Sequence, residues 1–195
     1  MKRALIALAC LSGMLIPVYC LAAAPGTSSK GTDPLRRDVK LIRMKRIEIT
    51  LPKLAQYQHV KPDGRITHNR KEIYFNDKVV RLVVYSGPAN DMLSFRIADL
   101  RNPTISIPAG STLHVLFVNT DDDMFHNFAL SLKKAPFPIL IKRQIWVGCP
   151  GLPHRGSNRL SGAEMTFRLA PGRYTYLCTM RGHAHGGMYG TLVVH

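Results

Sequence analysis

The 195-residue sequence predicts an all-β fold, a Greek-key β-sandwich of one domain with a basic extension at its N-terminus. Three observations predict it. Short runs rich in Val, Ile, Thr, Phe and Tyr recur from residue 79 to the C-terminus. Each run stops at a Gly, Pro, Asn or Asp turn signal. Long helical periodicity is absent between them, which argues against a sheet built from helix-linked parallel strands.

In chain order, Met1-Lys-Arg precedes the uncharged stretch 4–24, which ends in Ala22-Ala-Ala24. Residues 1–24 read as an export signal, either cleaved near Ala24 or retained as an anchor, because the stretch sits at the lower limit of a membrane span. Residues 25–75 read as a Pro-, Gly- and Ser-containing linker followed by a basic extension. From 30 to 75, twelve Lys and Arg face five acids. The mixed periodicity there predicts one or two short strands or a helix packed outside the main domain. Residues 76–195 form the expected sandwich, with strands at 79–85, 94–98, 104–107, 113–118, 125–130, 164–169, 174–177 and 190–194. The segment 133–162, punctuated by Pro and Gly, predicts irregular structure covering the core around Trp146.

Composition narrows the function classes. The formal charge is +15, and loss of Lys2 and Arg3 with a cleaved signal leaves 15 − 2 = +13. Such an excess attracts anionic surfaces, either an acidic patch on a redox protein or a membrane surface contacted through the basic extension. Export argues against nucleic acid as the partner. In an acidic compartment, few carboxylates also means few groups whose protonation destabilises the fold. Export removes Cys10 and Cys20, so Cys149 and Cys178 remain, and a disulfide between them is one reading.

The segment Tyr176-Leu-Cys-Thr-Met-Arg-Gly-His-Ala-His-Gly-Gly-Met-Tyr189 offers the other reading, a metal site. Four residues separate Cys178 from His183, and four more separate His183 from Met188. Thiolate, imidazole and thioether together suit copper, and a type 1 site needs a second imidazole. His126 is the best candidate, 178 − 126 = 52 residues upstream and directly after the polar loop 119–123. Two alternatives stay open at this point. His185 lies two residues from His183, and Met180 could replace Met188 only by folding back over its own backbone. His59, His68, His114, His154 and His195 show no ligand spacing.

These residues carry a resemblance. Asn102-Pro-Thr-Ile-Ser-Ile-Pro-Ala-Gly110, Val118-Asn119, His126-Asn-Phe128 and Pro171-Gly-Arg-Tyr-Thr-Tyr-Leu-Cys178 are similar to consecutive strands of the cupredoxins, small blue-copper proteins, over residues 79–195. The Cys-x4-His-x4-Met spacing resembles the rusticyanin-type members, which partner terminal oxidases in acidophilic iron-oxidising bacteria. The resemblance implies one copper ion cycling between Cu(I) and Cu(II), with His126, Cys178 and His183 as equatorial ligands and Met188 as the weak axial one. It also implies a periplasmic electron carrier, not an enzyme, serving a c-type cytochrome or cytochrome c oxidase. Cys149 would then be a free thiol. A copper-binding carrier without a redox role is the alternative. Multicopper oxidase chemistry needs several His-x-His pairs, and only His183-Ala-His185 is present.

Overall fold

Two sheets face each other across one core. The computed structural model describes residues 33–58, 63–154, 156 and 158–195; the expected export signal and His59 lie outside them. Helix α1 (Pro34–Asp38) and helix α2 (Leu51–Gln58) flank the first strand. The first sheet runs, edge to edge, β1 (Val39–Thr50), β11 (Arg159–Leu169), β8 (Thr112–Asn119), β4 (Val79–Ser86), β5 (Phe95–Ile97) and β6 (Leu100–Arg101). The second runs β10 (Val147–Gly148), β9 (Ala129–Ser131), β12 (Gly172–Leu177), β13 (Tyr189–Val194), β7 (Thr104–Ile107), β3 (Glu72–Tyr74) and β2 (Arg65–Ile66).

Period-two patterning explains the layering. In β8, Leu113, Val115 and Phe117 are buried while Thr112, His114 and Leu116 are only partly so, and β4 repeats this with Val80, Leu82 and Val84. The inward residues of both sheets form one cluster with Ile105, Ile107, Tyr174, Tyr176 and Leu192. At its centre Phe95 meets Phe117, Phe128 and Tyr176 edge-on, with ring centroids 5.6 to 6.0 Å apart, in the favoured T-shaped arrangement. The Tyr176 hydroxyl donates to the Pro103 carbonyl, so this buried polar group is satisfied.

The segment 33–75 goes beyond the expected outer elements. Strand β1 is an edge strand, paired antiparallel with β11 from Val39↔Leu169 to Thr50↔Arg159 with an irregularity between Leu41 and Arg43. Strand β3 pairs parallel with β7, and Ile73 and Phe75 are fully buried. Strands on both sides of residue 76 therefore share sheets. Exposed Lys40, Arg43, Lys45 and Arg46 hide β1 in the sequence; charge on an edge strand discourages further pairing and masks strand alternation. On the outer face, Leu54 of α2 packs with Ile49, Tyr85, Val118 and Leu160.

Two expected strands are shorter: 94–98 narrows to Phe95–Ile97, and 125–130 changes more. Within 125–130 only Ala129 onward is regular strand, while His126 makes an isolated bridge to Leu152. The side chains of His126 and Asn127 are engaged elsewhere, as described below.

Phe95→Ala should lower stability by about 3–5 kcal/mol, since it empties the aromatic centre. Denaturant unfolding of the metal-free protein measures this, and a loss below about 1 kcal/mol would show that the cluster collapses around the void. Deleting residues 33–75 strips β1, Ile73 and Phe75, so it should abolish folding as well as any docking by the basic segment.

Candidate metal centre

The hairpin of β12 and β13 sets up the site. Its last register pair is Leu177↔Tyr189, and the next step closes the loop: the Cys178 N–H donates to the Met188 carbonyl at 3.0 Å. Within loop 178–188, the His183 N–H donates to Met180 O (3.1 Å), Gly186 N–H to Gly182 O (2.8 Å) and Met188 N–H to His183 O (2.9 Å). Gly182 and Gly187 hold φ of 82° and 108°, where a side chain would be strained. These tight turns bring residues five apart onto one side of the loop. On the opposing segment, His126 is fixed by two backbone bonds to Leu152, at 3.3 and 2.8 Å.

Four side chains converge as a result. His183 Nδ1 lies 3.2 Å from His126 Nδ1 and 3.4 Å from Cys178 Sγ. Cys178 Sγ is 3.9 Å from His126 Nδ1, which is 3.2 Å from Met188 Sδ. The three donors of His126, Cys178 and His183 all lie within 4.8 Å of one another. His126, Cys178 and Met188 are fully buried, whereas His183 retains 9% exposure. Cys178 and Cys149 are both free thiols, so the disulfide reading is set aside.

Burial dominates the electrostatics of the donors. It pushes the Cys178 thiol up to about 12. It lowers His126, with Asp121 acting in the opposite direction, and it lowers His183 to about 4, helped by repulsion from His126. All three shifts favour the neutral forms. A bound cation reverses this for the thiol, because metal ligation requires the thiolate and neutral imidazoles. Two imidazoles, one thiolate and a thioether at these spacings fit a single type 1 copper site.

A hydrogen-bonded frame holds the donors. The Asn127 carboxamide donates to Cys149 O (3.0 Å) and Thr179 Oγ1 (2.8 Å) and accepts from Thr179 N–H (2.7 Å), tying together the segments that carry His126 and Cys178. Its own backbone N–H points at Cys178 Sγ, 3.5 Å away. Asn119 donates to Met124 O (2.8 Å) and Leu152 O (2.7 Å). Asp121 Oδ2 lies 3.0 Å from His126 Nε2. Burial alone would raise Asp121, but hydrogen bonds from His126 and from the Asp123 and Met124 backbone outweigh it and bring the carboxyl to about 2. Sequence reasoning missed Asp121 and Asn127 as supporting residues; only their placement beside His126 signalled them.

The two alternative donors make other contacts. His185 is exposed, with Nδ1 2.9 Å from Phe137 O. Met180 packs against Gly151, where any side chain would meet its Sδ. Cys149 is fully buried, and burial pushes its thiol up to about 11.

No family model matches the chain. The chain is 31% identical over 149 residues to rusticyanin from Acidithiobacillus ferrooxidans, spanning 75% of this chain and 94% of that protein. It is 30% identical to rusticyanin from Acidithiobacillus ferridurans, spanning 78% of that protein. A solved structure of reduced rusticyanin superimposes with a TM-score of 0.71 at 29% identity, covering 77% of this chain and all of that one. A second, described as the copper protein rusticyanin, gives 0.71 with 98% of its chain covered. The 149 matched residues exceed the 195 − 75 = 120 from 76 onward, so the likeness reaches into the N-terminal segment.

A pH dependence follows for the metal-free protein. His183 titrates near 4 when folded and near its free value of 6.5 when unfolded. Between those values the unfolded chain binds more protons, so stability is present above about pH 6.5 and is lost as pH falls towards 4. The denaturation midpoint of the metal-free protein should decline across that window, and His183→Gln should flatten the decline. A native profile that is already flat would show that His183 is not buried as described.

Proposed function

This chain belongs to the rusticyanin family of cupredoxins, and on that premise we propose that it is a periplasmic carrier of single electrons, with His126, Cys178 and His183 as equatorial copper ligands and Met188 as the axial one. The family is one of blue-copper electron-transfer proteins. The convergence of these four donors in one buried cluster carries the assignment. Copper, when bound, supplies a one-electron couple. The protein supplies the rest. Its loop hydrogen bonds fix the donors before any ion arrives, and its apolar surroundings hold water away from the thiolate.

His183 is the donor nearest solvent, which supports it as the point of electron exchange. Exposed Phe125, Ile139 and Leu140 flank the ligand segments; Phe125 adjoins His126, and the Ile139 carbonyl accepts the Gly182 N–H at 2.8 Å. An apolar rim of this kind suits brief docking of a redox partner. The partner class we favour is a c-type cytochrome or cytochrome c oxidase, with electrons moving towards it. All four ligand positions come from the protein and leave none for substrate, which supports a carrier over an enzyme. A cavity of about 500 Å³, lined by Arg43, Tyr57, Arg81, Tyr85, His114 and Glu164 among others, includes none of the four donors.

Residues 1–24 act as the export signal in this reading, and 25–32 as the linker behind it. No helix among the described residues is long and apolar enough to cross a membrane. Exposed Lys40, Arg43, Lys45 and Arg46 on β1 support contact with an anionic membrane surface or an acidic partner.

Adding Cu(II) to the purified protein should give an intense thiolate-to-copper absorption band and a reversible one-electron titration, and Cys178→Ser should lose both. A copper carrier without a redox role would instead release its metal rapidly to a competing chelator and show no reversible couple.

A further inference from the structure

Asp121 is the one carboxylate in contact with the donor cluster among the described residues. Its side chain is 4% exposed. Oδ1 accepts the backbone N–H groups of Asp123 and Met124, each at 3.1 Å. Its own N–H donates to Asn119 Oδ1, also at 3.1 Å, and Asn119 is in turn anchored to Ser86, Met124 and Leu152. The carboxylate therefore cannot rotate freely, and Oδ2 is held towards His126 Nε2 at 3.0 Å. Nδ1 of His126 faces Cys178, His183 and Met188, so the nitrogen turned towards the Asp121 carboxylate is Nε2.

We propose that Asp121 is a positioning residue that fixes the tautomer of His126 and lowers the reduction potential of the centre, by placing a buried negative charge one imidazole away from the metal. This rests on the copper reading above. A carboxylate behind a ligating histidine orients the ring and raises its basicity. Both effects favour the more positively charged Cu(II) state over Cu(I). A neutral carboxamide in the same place keeps an oxygen for the Nε2 proton but removes the charge. The chain thus combines an axial thioether in an apolar shell, which favours Cu(I), with a buried anion that opposes it.

The test compares the copper-loaded native protein with Asp121→Asn and Asp121→Ala. Asp121→Asn should keep the thiolate-to-copper band and shift the Cu(II)-to-Cu(I) affinity ratio about tenfold towards Cu(I), a rise in potential of ~59 mV for one electron. Asp121→Ala should also loosen the ring, seen as faster copper loss to a chelator. Nitrogen NMR of the metal-free native protein gives a reading independent of any variant, with the His126 proton on Nε2. An unchanged or lowered potential in Asp121→Asn, or a proton on Nδ1 in the metal-free protein, overturns the proposal. Absence of the band in the native protein overturns the copper reading instead.

Discussion

The centre depends on the closure of loop 178–188 by the Cys178 N–H to Met188 carbonyl hydrogen bond. That bond continues the β12–β13 ladder by one step and brings the first and last donors of the loop side by side. His183 then needs only two tight turns, with glycine at 182 and 187, to face the same point. His126 arrives from the opposite side through its bridge to Leu152. Phe95, Phe117, Phe128 and Tyr176 stack and meet edge-on in the same buried cluster that holds Cys178 and Met188.

A cluster of this composition is costly to leave empty. Burying a thiol and two imidazoles in an apolar surround disfavours every charged form, and it does so before any ion is present. A cation that accepts all four donors relieves the cost, so the fold is shaped for a metal it must hold in one arrangement. The same rigidity serves electron transfer, because a site that barely rearranges between Cu(I) and Cu(II) offers little resistance to the exchange. The Asp121, Asn119 and Asn127 network ties His126 and the segment carrying Cys178 into the surrounding backbone.

Much of this was legible in the sequence. Strands β4, β7, β8, β12 and β13 announce themselves through β-branched alternation and turn residues, and the Cys-His-Met spacing marks the donors in a single loop. His126 was reachable because ligand chemistry demanded a second imidazole. Strand β1 was not legible, since exposed cations at 40, 43, 45 and 46 break its alternation and its partner β11 lies more than a hundred residues away. Short β2, β3, β6 and β10 carry too few residues to show a period, and their pairing is fixed by neighbouring strands. Asp121 and Asn127 were hidden for a different reason: their roles lie in contacts across the loop, and a polar loop looks alike whether or not it supports a ligand.

Two imidazoles and one thiolate should hold copper in the same arrangement in both oxidation states. X-ray absorption at the copper edge, taken on the oxidised and then the chemically reduced protein, reads that arrangement. We expect one short sulfur shell and two imidazole shells that change little between the two forms. A spectrum without the sulfur shell, or one in which a ligand is lost on reduction, would mean that the metal is held by other groups or in two arrangements.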